Sequence, residues 1–153
     1  MRAILALLAL FLVGDMAAQA TPIALVSLPD QWGRPGIIVH YQGQPLRLLL
    51  DTGAAGTILR PSAWAALGKP GAGREAWVAD WRGTEYLVPK PQLDGVTVGT
   101  CTLNDLDMLV ADASLGPDAP GGYSGIAGVN LLRRLGDLTI DLNRSLVTTA
   151  RCG

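Results

Sequence analysis

Leu48-Leu49-Leu50-Asp51-Thr52-Gly53-Ala54-Ala55-Gly56-Thr57-Ile58-Leu59 is the stretch on which the reading of this chain turns. Three leucines make an apolar strand that delivers a carboxylate at its end. A turn of small residues follows, and Thr57-Ile58-Leu59 returns at once into an apolar run. An ionised carboxylate so close to a core is costly unless hydrogen bonds hold it. Thr52, Gly53 and Ala54 offer backbone N–H groups free of bulky side chains, a geometry that presents Asp51 to a cleft. The tripeptide alone decides little. Random placement of this composition yields Asp-Thr-Gly at a rate of about one in eleven, and an ordinary turn after a strand would look the same.

Context outward from that stretch raises its weight. Gly and Pro punctuate the chain at short intervals and separate apolar runs rich in Val, Ile, Leu and Thr, which predicts an all-β domain. Strands are expected over 23–28, 36–41, 46–50, 76–79, 84–88, 96–103, 106–110, 138–142 and 146–150. Two short helices interrupt them. Residues 61–67 start at Pro61 and stop before Gly68, and residues 130–135 stop before Gly136. The segment 112–125 is rich in Pro, Gly, Ser and Asp without a period, and reads as a surface connection or lid.

Residues 1–20 read as an export signal: Arg2, an apolar run from Ala3 to Val13, then Ala18-Gln19-Ala20 as a cleavage site. A retained membrane anchor is the alternative, but eleven apolar residues are fewer than the ~20 that span a bilayer. The mature domain is expected over 21–153, periplasmic or secreted, with no stable membrane association after cleavage. Arg2 and Asp15 leave together, so the net charge stays at −1, and nothing in that balance points to nucleic acid. An oxidising compartment favours a Cys101–Cys152 disulfide, the two cysteines being the only ones. It would close a loop of about 50 residues, worth roughly 4 kcal/mol. Two buried thiols or a bridge between chains are the alternatives. No metal or other cofactor is expected, because His40 is the sole histidine, on a strand facing solvent, and the cysteines lack ligand spacing.

The order Asp51-Thr52-Gly53-Ala54, a hairpin candidate over 75–88, then Ile126-Ala127-Gly128-Val129-Asn130-Leu131-Leu132 resembles the retropepsin-like (retroviral-type) aspartic peptidases, in particular their exported bacterial members. The resemblance covers nearly all of 23–150. It implies a half-barrel of strands with one or two short helices that is active as a homodimer. One departure stands out: the acid and the arginine that pair in retroviral members are Ala55 and Val129 here, so a packing contact between the two is expected to replace the ion pair as a unit.

The resemblance also implies roles. Asp51, Thr52 and Gly53 would be catalytic, with Thr52 bracing the two loops across the dimer axis. Ala54 and the flap residues Trp81, Arg82 and Gly83, in the turn Asp80-Trp81-Arg82-Gly83, would meet a peptide or protein substrate, while the nearby Trp77 and Tyr86 either cover that substrate or pack the hairpin onto the domain. Thr57 would hydrogen-bond Asn130, with Ile126, Ala127 and Gly128 as structural support. Because Asp112 and Asp141 lack a following Thr-Gly, the second carboxylate must come from a second copy of the chain. The expected function is aspartic endopeptidase. A catalytically silent peptide-binding or assembly module, and an unrelated β-domain with an accidental tripeptide, are the rivals. Ser124 has no Gly-x-Ser-x-Gly setting for a serine hydrolase.

Overall fold

The computed structural model describes residues 21–27, 34–80, 82–112 and 122–149. The expected signal (1–20), Leu28, Trp81, most of the 112–125 connection, Ala150 and Cys152 lie outside the described residues.

In chain order the first elements are β1 (Thr21–Ser27), β2 (Pro35–Tyr41), β3 (Gln44–Leu50), β4 (Thr57–Leu59) and α1 (Pro61–Ala66). A hairpin follows, β5 (Glu75–Ala79) and β6 (Glu85–Pro89), then β7 (Gln92–Leu93), β8 (Val96–Val98), β9 (Cys101–Leu103) and β10 (Leu106–Val110). The chain closes with β11 (Gly125–Ala127), α2 (Val129–Arg134), β12 (Leu138–Asp141) and β13 (Leu146–Thr149). The fold is all-β, with two short helices among the described residues. Eleven of the described strands form one sheet curled into a half-barrel, ordered β12-β13-β1-β2-β3-β11-β4-β10-β7, with β8 pairing β2 and β9. Among the described residues β5 and β6 pair only with each other.

Local chemistry explains the elements the sequence predicts. β2 and β3 are joined by Gln42 and Gly43, both at positive φ (50° and 79°), the two-residue turn whose twist matches the flanking strands. Alternation then sets the faces. Ile37 and Val39 on β2, and Leu46 and Leu48 on β3, are buried, while His40 is exposed. They join Leu59, Val96, Val98, Leu103, Leu106, Met108, Leu131 and Leu135 in one core, each large side chain worth about 1.5–3 kcal/mol of transfer free energy. α1 buries no residue; Trp64 lies half-buried on it and donates its indole N–H to the Pro70 carbonyl at 3.1 Å.

The structure corrects three readings. The single strand over 96–103 is two strands, because Gly99 takes φ 57° and turns the chain back so that Val98 pairs with Cys101. The end of the 112–125 connection is irregular as expected but does not lie at the surface: Tyr123 is buried, its hydroxyl donates to the Arg34 carbonyl at 2.6 Å, and the Ser124 N–H donates to the Arg47 carbonyl at 2.7 Å. Third, 125–127 is a strand, and it decides the topology. β11 runs parallel to β3 (Ile126 opposite Leu49) and antiparallel to β4 (Ile126 opposite Ile58), so it separates two strands that are neighbours in sequence. Gly125 makes this approach feasible, since a Cβ there would lie 1.9 Å from the Ile58 carbonyl oxygen.

Candidate active site

Because β11 lies between β3 and β4, residues 51–56 must cross over its end, and backbone hydrogen bonds fix the crossing. Asp51 N–H donates to the Ala127 carbonyl at 3.2 Å, Val129 N–H to Ala54 at 2.8 Å, and Asn130 N–H to Ala55 at 3.2 Å. The loop is therefore tied to the β11–α2 junction at both ends. Gly128 is required there by space rather than by dihedral: its φ is −88°, but a Cβ would sit 2.2 Å from the Gly56 carbonyl oxygen and 2.9 Å from that of Ala54.

Two side chains complete the tie. Thr57, fully buried, donates both its N–H (2.7 Å) and its hydroxyl (2.8 Å) to Asn130 Oδ1, and its hydroxyl accepts the Gly128 N–H at 3.3 Å. The Thr57–Asn130 contact implied by the resemblance is thus present in this chain. Asn130 Nδ2 donates in turn to the Asp107 carbonyl on β10 at 2.7 Å. Each such bond contributes about 1 kcal/mol net, and more is lost if a buried partner is orphaned. Ala55 is exposed, so packing against Val129 is not what replaces the missing ion pair; the backbone N–H groups of Val129 and Asn130 hold the loop.

On this support Asp51 is half-buried, and Thr52 and Gly53 are exposed. Gly53 N–H donates to Asp51 Oδ1 at 2.8 Å, and a Cβ on Gly53 would stand 3.1 Å from the same oxygen. The carboxylate is oriented by its own loop and remains partly accessible, as a base or an acid must be to reach a bound molecule. Among the described residues no His, Cys, Asp or Glu cluster could hold a metal ion, and no helix is long and apolar enough to cross a membrane.

A groove of about 430 Å³ lies beside this loop, between Ala55 and Gly56, the β5 residues Ala76 to Val78, and β10. Asp51 does not line it. The β5–β6 hairpin walls one side of the groove through β5, and its Trp77, Tyr86 and Leu87 are exposed, so its aromatics do not pack it onto the domain. Its tip is ordered by Asp80, whose Oδ1 accepts the N–H groups of Thr84 (2.9 Å) and Arg82 (2.8 Å) and whose Oδ2 accepts the Tyr86 hydroxyl (3.0 Å). Gly83, at φ 79°, closes the turn. These bonds, Thr84 foremost, hold the Asp80 carboxyl below the usual carboxylate range. A depressed folded pKa stabilises at pH above the ordinary value, and this is lost only as pH falls through the lowered one. The Asp80 carboxylate therefore goes on accepting these bonds below the pH at which an ordinary aspartate protonates.

Comparison with known proteins decides the family. Residues 37–131 match the family model described as aspartyl protease. The chain belongs to the aspartyl protease family. Its fold is retropepsin-like: it superposes with a TM-score of 0.55 on the crystal structure of a retropepsin-like aspartic protease from Rickettsia conorii, 19% identical, over 86% of this chain and 89% of that one. A search of curated proteins finds no match. The sequence reading placed Asp80 in a turn without a role, and assigned none to Gly125 or Asp107. Their importance lies in non-local contacts, and only the Asp80-to-Gly83 turn left a local signal.

Gly128 gives a direct check on the loop's support. Gly128→Ala should lower the unfolding free energy by about 3 kcal/mol or more, the upper range for forced overpacking. Gly43→Ala, where a Cβ meets open space, should lose only about 1–2 kcal/mol through its left-handed dihedral. Equal small losses in urea unfolding would contradict this packing of Gly128 beneath the loop.

Proposed function

We propose that this protein is an aspartic endopeptidase that hydrolyses peptide bonds with a water held between Asp51 of one chain and Asp51 of a second copy. The observation that carries this reading is the Asp51 loop itself: a half-buried, glycine-oriented carboxylate whose loop is tied to β11 and α2, beside a groove walled by the hairpin. The family membership supports a protease-type function. Asp-Thr-Gly occurs once in the sequence, so a two-carboxylate mechanism needs two chains.

Two carboxylates a few ångströms apart share one proton. The ionised Asp51 takes a proton from water as the oxygen attacks the scissile carbonyl carbon, while the protonated Asp51 gives its proton to the carbonyl oxygen. Collapse of the resulting diol, with a proton passed to the departing nitrogen, breaks the C–N bond and leaves an acid and an amine. Thr52 braces the two loops, Gly53 and Ala54 approach the substrate backbone, and the hairpin tip with Trp81, Arg82 and Gly83 closes over it. Among the described residues β13 has both edges paired, by β1 and β12, and β12 is the open edge at this end of the sheet. Exposed Ile140 and Leu142 lie at and just beyond β12, a surface suited to the second copy.

The chain's setting belongs to the same proposal: cleavage of the signal after Ala20, export to the periplasm or beyond, action on exposed segments of exported proteins, and a Cys101–Cys152 bridge. Cys101 is fully buried and is not a free thiol, which supports the bridge.

Activity on a denatured protein should be greatest at acidic pH, inhibited by a pepstatin-type statine peptide, and reduced by at least about 10²–10⁴-fold in Asp51→Asn. A plateau extending above about pH 9 is incompatible with a shared proton. Peptide binding without cleavage at any pH would instead favour the silent module.

Mass spectrometry of the exported, non-reduced chain should show a mature protein beginning at Thr21, about two hydrogen masses lighter than its reduced form. Retention of residues 1–20, or two thiols open to alkylation in the native protein, would remove the corresponding part of the proposal.

A further inference from the structure

The β5–β6 hairpin has little apolar anchorage. Of its ten strand residues only Val88 is buried, and Trp77 is 69% exposed. A lone two-stranded hairpin is marginal in water, so something else must set its angle to the catalytic loop. Arg74, one residue before β5, and Lys90, one residue after β6, both reach a single side chain on β10. Arg74 Nη1 lies 3.1 Å from Asp107 Oδ1, and Lys90 Nζ lies 2.7 Å from Asp107 Oδ2. Each carboxylate oxygen thus takes one stem of the hairpin. The stems are also joined by the Lys90 N–H to the Arg74 carbonyl (2.8 Å), and Met108 N–H donates to the Pro91 carbonyl (2.9 Å).

The same residue faces the catalytic loop through its main chain, since the Asp107 carbonyl accepts Asn130 Nδ2, and Asn130 Oδ1 accepts both donors of Thr57. We propose that Asp107 is a positioning residue that fixes the hairpin over the Asp51 loop, its carboxylate clamping both stems while its carbonyl anchors the loop's support. Ion pairs this exposed are individually weak, but two cations on one carboxylate at a hinge with little other packing restrict one specific motion. The charged groups around it are Arg74, Lys90, and the Asp105 and Arg134 side chains lining the same groove. Lys90, by its hydrogen bond first and then its charge, holds the Asp107 carboxyl below the usual range, assisted by Arg74. The clamp therefore remains charged in the acidic range where a shared-proton site works.

The functional part of this inference rests on the endopeptidase reading; the mechanical part does not, and the test separates them. Hydrogen exchange is measured on the full-length chain carrying Asp107→Asn, Arg74→Met with Lys90→Met, or all three changes. Amides of 75–79 and 85–88 should exchange about two- to fivefold faster in the first two, with no further gain in the third, while β2 and β3 amides stay unchanged. Asp107→Glu should recover most of the protection. If the protein cleaves peptides, the Asp107→Asn change should raise KM by a similar factor and alter kcat less. Unchanged exchange in the hairpin for both Asp107→Asn and the Arg74/Lys90 double variant overturns the clamp, whatever the activity. Faster exchange in a chain that cleaves nothing leaves the clamp standing and removes only the endopeptidase reading.

Discussion

Everything about the Asp51 site depends on β11 being wedged between β3 and β4. Sequence neighbours usually pair; here they are held apart by a strand arriving from some 70 positions later, and the loop between them has to bridge its end. Steric fit makes this feasible. Gly125 lets β11 lie against the Ile58 carbonyl, and Gly128 lets the chain leave beneath Gly56 and Ala54. With that crossing fixed, Asp51 is held in place by a folded core, as an acid–base group requires.

A polar chain then runs outward from the crossing. Thr57 binds Asn130, Asn130 binds the Asp107 backbone, and the Asp107 side chain binds the stems of the hairpin. Every link joins elements distant in sequence, so loop and hairpin share one frame. The retroviral ion pair is absent, since Ala55 and Val129 are apolar, and the loop relies on backbone bonds from Val129 and Asn130. Backbone bonds do not titrate, an advantage for a site expected to work in acid.

Much of this was legible from the residues. The β2–β3 hairpin, the 75–89 hairpin and both helices fall within a residue or two of their expected places, because alternation, Gly turns and Pro61 are local signals. The Asp51 turn was legible for the same reason. What escaped was non-local. Strands as short as Thr57–Leu59, Gln92–Leu93 and Gly125–Ala127 carry no period, and their partners lie far along the chain. Asp107 alternates with buried Leu106 and Met108 like any solvent-facing strand residue, so its two cations could not be foreseen. Gly99 reads as part of a strand because its neighbours are strongly strand-forming on both sides.

The central claim is that catalysis is assembled from two copies of one loop, and mixing chains tests it most directly. Wild-type protein, kept well above its dimer dissociation constant, is allowed to exchange subunits with Asp51→Asn chains, exchange being verified by an independent label. Random pairing leaves a fraction of about 1/(1 + r) of the wild-type chains in wild-type pairs at mutant-to-wild-type ratio r. Activity should follow that curve, falling to about half at equal amounts. Activity that stays constant at every ratio would mean the site is complete within one chain, and would contradict the account.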